Sequence, residues 1–405
     1  MARKGYGFSE ANNPIRNILM PGIIKERLFT PGPTPLLMEA QARTLSAANV
    51  HHRTEAFRKI MMETLALLKY YYDTKNDVLV FASSGTGAME GAVANLLSPG
   101  ERMLVGTAGK FGERWLGLAQ AYGVEAVKVE SPYGQPVNIE AMKQKLASDG
   151  PFRAVFIQAT ETSTAVMNDV RALGEAVKGY PETALVVDAI TGLGTSDLRI
   201  EDWGLDIVIG GSQKAVMIPP GLAFASVSEK AWGLMAKSKL PRFYFDFAKE
   251  RKNQAKGETA YTPATTLIIG LHAALEYIQK IGRENLIANA ALLAEASRAG
   301  AQALWLKLFA ESSPANAATA VCAPPGLDSG AIVKEMRTSF GAVIANGQGS
   351  MKGQIFRLAH LGYYDMADLF ALFAALEIVL VKLGQDVVLG SGVRAVQETY
   401  LRHAS

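Results

Sequence analysis

Two apolar runs in this chain end in residues that can act together on a carbonyl. The run at 184–188 closes on Asp188, and the run at 207–211 opens into Gly211-Ser212-Gln213-Lys214, which puts the lysine 26 residues after the acid. A lysine amine kept partly neutral condenses with an aldehyde, and a carboxylate can hold a pyridine nitrogen protonated. Together these are what a protein supplies to pyridoxal phosphate (PLP), whose ring accepts electrons when the Cα–H bond of an amino acid breaks. The same chemistry needs donors for a phosphate and a cation for the substrate carboxylate, for which a bidentate arginine is the usual solution. Ser84-Gly85-Thr86 and Arg357 are the candidates for those roles.

The stretch around Ser84 reads as a strand (78–82), a turn of small and hydroxyl residues (83–87) and a helix (88–97). Free backbone N–H groups and the helix dipole meet at such a turn, which suits a phosphate. A dinucleotide fingerprint fails on spacing, because position 90 is Glu and the next glycine is Gly91. A turn that simply needs small residues is the competing reading. Phe111 heads another helix after a second glycine-rich turn; it can lie on a cofactor ring or staple into the core. The segment from Phe29 to Pro35, with Pro31, Gly32 and Pro33, is either a stiff connector or a backbone wall beside a site. His51-His52-Arg53 precedes a helical pattern and reads first as a solvated or capping segment.

These residues need elements to carry them. Strands at 102–105, 125–129 and 154–158 alternate with helices, and so predict βαβ units and a mostly parallel sheet. Ligands of such sheets gather at the carboxyl ends of the strands. The turns near Ser84, Phe111, Thr162, Asp188 and Lys214 all fall on that edge. Residues 249–256 are densely charged and predict a loop. Beyond residue 283, long helices and a few strands predict an α+β unit.

With 405 residues, two domains are expected. The boundaries are an N-terminal arm (1–28, broken by Pro14 and Pro21-Gly22), a large cofactor domain (29–282) and a small domain (283–405). Apolar residues make up 49%, charged residues 20%, and the net charge is +3 with no basic run, which argues against nucleic-acid or membrane partners. The single Cys322 excludes an intrachain disulfide and a multi-cysteine metal site; no metal is expected. There is no apolar core of signal-peptide length and no run of about 18 apolar residues, so a cytoplasmic location is expected.

Gly211-Ser-Gln-Lys-Ala215 followed by Pro219-Pro-Gly221 resembles the lysine motif of class V aminotransferases, nearest to the alanine–glyoxylate and serine–pyruvate/glyoxylate branch. The likeness runs from Thr30-Pro-Gly-Pro33 to Phe356-Arg-Leu358. It implies a fold-type I PLP transferase: a large α/β domain with a mostly parallel seven-stranded sheet flanked by helices, and a smaller C-terminal α+β domain. It also implies transamination of a small amino acid (alanine, serine or aspartate) with a 2-oxo acid such as glyoxylate or pyruvate, in ping-pong order. By the same resemblance Lys214 is the Schiff-base and proton-transfer residue, and Asp188 pairs with the pyridine nitrogen. Ser84, Gly85, Thr86 and Gln213 hold the phosphate, Phe111 stacks on the ring, and Thr162 approaches the ring hydroxyl. Arg357 binds the substrate carboxylate beside the backbone of Pro31 and Gly32. Thr262 and Tyr261 reach the phosphate of a partner, so a homodimer with shared active sites is implied. Thr86 stands where some relatives have His, and Phe111 where they have Trp. His52-Arg53 matches a pair in microbial members and is carried as a candidate at the substrate mouth. Competing readings are a 2-aminoethylphosphonate transaminase, a cysteine desulfurase or lyase (whose relatives place His where this chain has Gln213), a dinucleotide-binding dehydrogenase, and a non-catalytic subunit that keeps the fold.

Overall fold

The computed structural model describes residues 23–46 and 50–404. Most of the expected N-terminal arm, with Pro14 and Pro21-Gly22, lies outside them. The strands in chain order are β1 (Arg27–Phe29), β2 (Asp77–Phe81), β3 (Arg102–Thr107), β4 (Glu125–Glu130), β5 (Ala154–Gln158), β6 (Thr160–Glu161), β7 (Val166–Met167), β8 (Ala184–Asp188), β9 (Ile207–Gly211), β10 (Ala223–Val227), β11 (Ala318–Cys322), β12 (Ala342–Asn346) and β13 (Ile355–Ala359).

Seven strands form one sheet in the order β2-β10-β9-β8-β5-β3-β4. The neighbours from β9 to β4 are parallel, and β10 is antiparallel to both β2 and β9. The continuous apolar runs follow from this position, since a central parallel strand is buried on both faces. In β5, Val155 and Ile157 enter one core with Phe57, Tyr72 and Leu271. Ala154 and Phe156 enter the other, with Met89, Val93 and Trp115. The strands' carboxyl ends share one edge, where the chain turns through Ser84, Lys110, Thr162, Asp188 and Lys214.

Residues 249–256, expected as a loop, are largely helical (Phe247–Gln254). Asp246 caps the helix by accepting from Lys249 N–H. At its end the Gln254 side chain behaves like a neighbouring strand, accepting from Val80 N–H at 3.0 Å and donating to Val80 O at 2.7 Å.

A second sheet has the order β1-β12-β13-β11 and carries its own core, including Phe356, Leu358 and Phe373. Strand β1, from the stretch expected as arm and start of the large domain, pairs in parallel with β12. The β6–β7 hairpin joins the two sheets: Ala165 packs with Ala318, Ala320 and Ile355. Helix Arg283–Ala303, read from sequence as running to about Phe309, stops just before Trp305, which has φ +60°.

Candidate active site

Lys214 and Asp188 both lie at the carboxyl edge of the seven-stranded sheet, and both are taken out of water. Burial pulls the Lys214 amine down to about 8; the Asp188 carboxylate opposes this, while the Arg357 and Arg114 charges add to it. Its Nζ donates to Pro31 O at 2.6 Å. Burial pushes the Asp188 carboxyl up to about 6 against a hydrogen bond from Ile190 N–H at 3.0 Å. The proline-rich loop is a backbone wall against the lysine: Thr34 N–H donates to Gln213 O and Thr34 Oγ1 to Lys214 O. Gly32 has φ +144°, and a Cβ built there would fall 2.0 Å from Lys214 Nζ. Only glycine tolerates both the conformation and the contact.

Several helices start with side-chain caps, as at Thr54, Asn138, Asp169 and Ser228, while others, such as Thr265–Ile281 and Arg283–Ala303, do not. Ser84, which begins helix Gly85–Leu96, makes no such bond. That helix start is open to an anion. Gly85 lets it approach the Asp188 turn, since a Cβ there would sit 2.3 Å from Ile190 Cδ1. Thr86 Oγ1 accepts from Arg114 at 3.0 Å, and the Arg114 guanidinium lies 4.9 Å above the Phe111 ring.

Helix Lys110–Ala121, which carries Phe111, starts from Gly109 and is capped from outside by Glu161. The Glu161 carboxylate accepts from Phe111 N–H (3.1 Å), Gly112 N–H (2.9 Å), Ser163 N–H (3.1 Å) and Ser163 Oγ. Burial raises its pKa while these donors pull it back down. Thr162 Oγ1 is already paired with Thr191 Oγ1 at 2.6 Å. Arg357, on β13, crosses between sheets and donates to Thr162 O (2.8 Å) and Asn346 O (2.9 Å). Burial lowers its guanidinium to about 10.

Pro31, Gly32, Ser84, Gly85, Thr86, Phe111, Thr162, Asp188, Gln213, Lys214 and Arg357 thus share one region, linked through these contacts. Tyr261 and Thr262 are elsewhere. Tyr261 stacks on Tyr244 at 5.1 Å and donates to Phe243 O, and Thr262 is exposed. The His51 and His52 rings lie 4.5 Å apart, tilted by 32°, before helix Glu55–Tyr72, and among the described residues no contact ties them to Lys214. A cavity of about 660 Å³, lined by Arg27, Met217, Tyr277 and Tyr364, holds none of the expected site residues.

Sequence reasoning missed Arg114, Gln158 and Thr191, and gave Glu161 no role. Arg114 is three residues after Phe111 on one helix, a spacing that places both on one face. Gln158 is the one polar residue of β5 and is directly beside Asp188 in register. Both of its amide atoms are buried without a partner, as are Gln213 Oε1 and Arg357 Nε. Native interiors seldom leave such groups unpaired. An open helix start, an arginine with no carboxylate partner among the described residues, orphaned buried amides and a lysine–aspartate couple fit PLP. Phosphate, pyridine nitrogen and aldehyde each find a complementary group.

The description "Aminotransferase class-V" fits residues 34–360 of the chain. The chain is 34% identical to the L-aspartate–glyoxylate aminotransferase of Paracoccus denitrificans (strain Pd 1222), over 92% of this chain and 96% of that one. It is 43% identical to a protein of Synechococcus sp. (strain PCC 6716) named "Soluble hydrogenase, small subunit", over 92% and 97%. Among solved structures, a subgroup IV aspartate aminotransferase from Thermus thermophilus superposes with a TM-score of 0.82 at 32% identity, covering 88% of this chain and 99% of that one. The chain belongs to the class-V aminotransferases, PLP-dependent enzymes of fold type I.

Proposed function

We propose that the enzyme transfers an amino group between a small amino acid (alanine, serine or aspartate) and a 2-oxo acid such as glyoxylate or pyruvate, with PLP held at Lys214. The observation that carries this reading is the buried Lys214 amine, lowered to about 8, beside Asp188 at the sheet edge. Bound there, PLP supplies an electron sink for the carbanion formed when the amino acid loses its Cα proton.

The chain's own groups do the rest. Burial pulls the Lys214 amine well below a free lysine, which favours its neutral form, so its Nζ can take a proton and return it. Pro31 O orients that nitrogen from one side. Asp188 holds the pyridine nitrogen protonated, and Thr162 serves the ring hydroxyl. Ser84, Gly85, Thr86 and Gln213 hold the phosphate at the uncapped helix start, with Phe111 against the ring. Arg357 receives the substrate carboxylate and, being buried, binds it more strongly than a solvated arginine would. Donor and acceptor use this single site in turn, the donor leaving as a 2-oxo acid before the acceptor enters. The Paracoccus relative's name, an aspartate–glyoxylate aminotransferase, supports amino acid and glyoxylate as substrates.

The same reading assigns residues 29–282 to the cofactor domain and 283–405 to the small domain. It makes the enzyme a cytoplasmic homodimer in which Tyr261 and Thr262 serve the partner's phosphate. Their surface position beside exposed Phe243 and Tyr244 supports that role. A desulfurase role is disfavoured by Cys322, which is half-buried with its thiol pushed up by burial, a poor nucleophile. The hydrogenase-subunit name of the Synechococcus relative favours a second reading, an assembly subunit that keeps the fold.

Borohydride reduction of PLP-loaded protein followed by peptide mapping tests the first reading. The label is expected on Lys214, and the visible band should bleach when a competent amino donor is added alone. Absence of a visible band with added PLP, or labelling of another lysine, overturns it in favour of the assembly role.

A further inference from the structure

Arg114 is a cation packed on the Thr86 turn. Among the described residues no carboxylate pairs with it. Its contacts are the Thr86 hydroxyl at 3.0 Å and the face of Phe111 at 4.9 Å. Both belong to the cradle proposed for PLP, and Arg114 touches no other part of it. A guanidinium only donates, so Thr86 Oγ1 is the acceptor in that bond. The hydroxyl's own hydrogen is thereby left free, and no acceptor takes it among the described residues. It sits in the first turn of helix Gly85–Leu96, whose start no side chain caps. A hydroxyl polarised by an arginine is a stronger donor than an isolated one.

Resting on the PLP reading above, we infer that Arg114 is a positioning residue for the phosphate end of the site: it turns the Thr86 hydroxyl into a dedicated donor.

The test compares two ligands of the apoprotein, PLP and pyridoxal, which lacks the phosphate. Affinities are read by absorbance titration for wild type, Arg114→Gln, Arg114→Lys, Thr86→Ala and the Gln/Ala double variant. Arg114→Gln is expected to weaken PLP about tenfold or more, on the scale of a hydrogen bond to a charged group, and pyridoxal by less than about threefold. Arg114→Lys should recover part of the loss, since it keeps the charge. In the double variant Thr86→Ala should add less than about twofold, because both residues act through one hydroxyl. Unchanged PLP affinity in Arg114→Gln, equal losses for PLP and pyridoxal, or fully additive losses each overturn the inference. If Arg114→Gln does not unfold cooperatively, Arg114→Lys carries the same comparison, its PLP loss expected to exceed its pyridoxal loss. Wild type that binds neither ligand removes the PLP reading itself, a failure distinct from one confined to the Arg114 variants.

Discussion

Replacing Gly32 by alanine puts a methyl group where Lys214 already is. The new Cβ falls 2.0 Å from Nζ, 2.7 Å from Cε and 2.9 Å from Cδ. Ordinary contact needs about 3.5 Å, so Nζ must retreat by roughly 1.5 Å. The backbone adds its own cost, because φ +144° is strained for alanine by about 1–3 kcal/mol. Lysine is flexible and can swing away, so folding survives with Tm lowered by a few degrees. The amine, however, loses its bond to Pro31 O. A displacement of this size is expected to slow amino transfer about 10²-fold. The assay is the single-turnover decay of the visible band with amino donor in excess, run beside thermal unfolding. Gly117→Ala is the control: that glycine is in helix Lys110–Ala121 with nothing within 4 Å of a built Cβ. It should raise stability by about 0.5–1 kcal/mol and leave the rate alone. A Gly32→Ala enzyme within threefold of the wild-type rate would refute the claim that the Gly32 backbone fixes the lysine.

Three further outcomes follow from the same geometry. Lys214→Met should make the apoprotein more stable at pH 7, by a few degrees in Tm, since it removes a poorly solvated ammonium. The folded pKa is about 8 against 10.5 for the free side chain, so the unfolded chain binds more protons between those values. Wild-type stability therefore climbs as pH rises from about 8 to 10.5 and the advantage of Met shrinks, which urea titrations at several pH values can follow. Arg357→Lys should raise KM for the amino donor about 10²-fold with a smaller change in kcat, because a point charge replaces a planar fork; steady-state kinetics with a saturating acceptor measures this. Glu161→Gln replaces an acceptor of three backbone N–H groups and the Ser163 hydroxyl by an amide with one acceptor atom. About 2–3 kcal/mol should be lost in chemical denaturation, with PLP affinity falling as Phe111 loosens.

What the sequence made legible were the residues whose type is rare in their surroundings. Asp188 and Lys214 close or follow fully buried apolar strands, and a charge in that position announces itself. Ser84-Gly85-Thr86 carries a turn signature that survives without any structure. Arg114 had no such contrast, being one of several charges on an amphipathic helix, and only the packing of that helix against the Thr86 turn gives it meaning. Gln158 was hidden for the opposite reason, as the last residue of a strand identified by its apolar members. The stretch 249–256 read as a loop because its charges overwhelm any periodicity. Its helix rests on the Asp246 cap and on the buried side chains of Glu250 and Gln254, and the latter pair is tertiary information. Strand β1 is three residues long, and its partner β12 is over three hundred residues away in the chain, a pairing no local pattern encodes.

The pair of bonds between Gln254 and Val80 also bears on how the protein behaves in a crowded solution. Strand β2 is the last of the seven, so its outer backbone groups would otherwise form a template for a strand of another molecule. One glutamine amide occupies the middle of that template with the donor–acceptor pattern of a neighbouring strand, and the helix that carries it shields the rest. At the opposite margin, β4 is guarded differently, by the alternating charges of Glu125, Lys128 and Glu130. The two margins of one sheet thus resist fibril-like stacking by unlike means, one by mimicry and one by charged side chains that an added strand would have to strip of water. Loss of the Gln254 amide would expose a side whose one charge, Asp77, sits at the start of the strand and is already paired with Lys69 and Arg251.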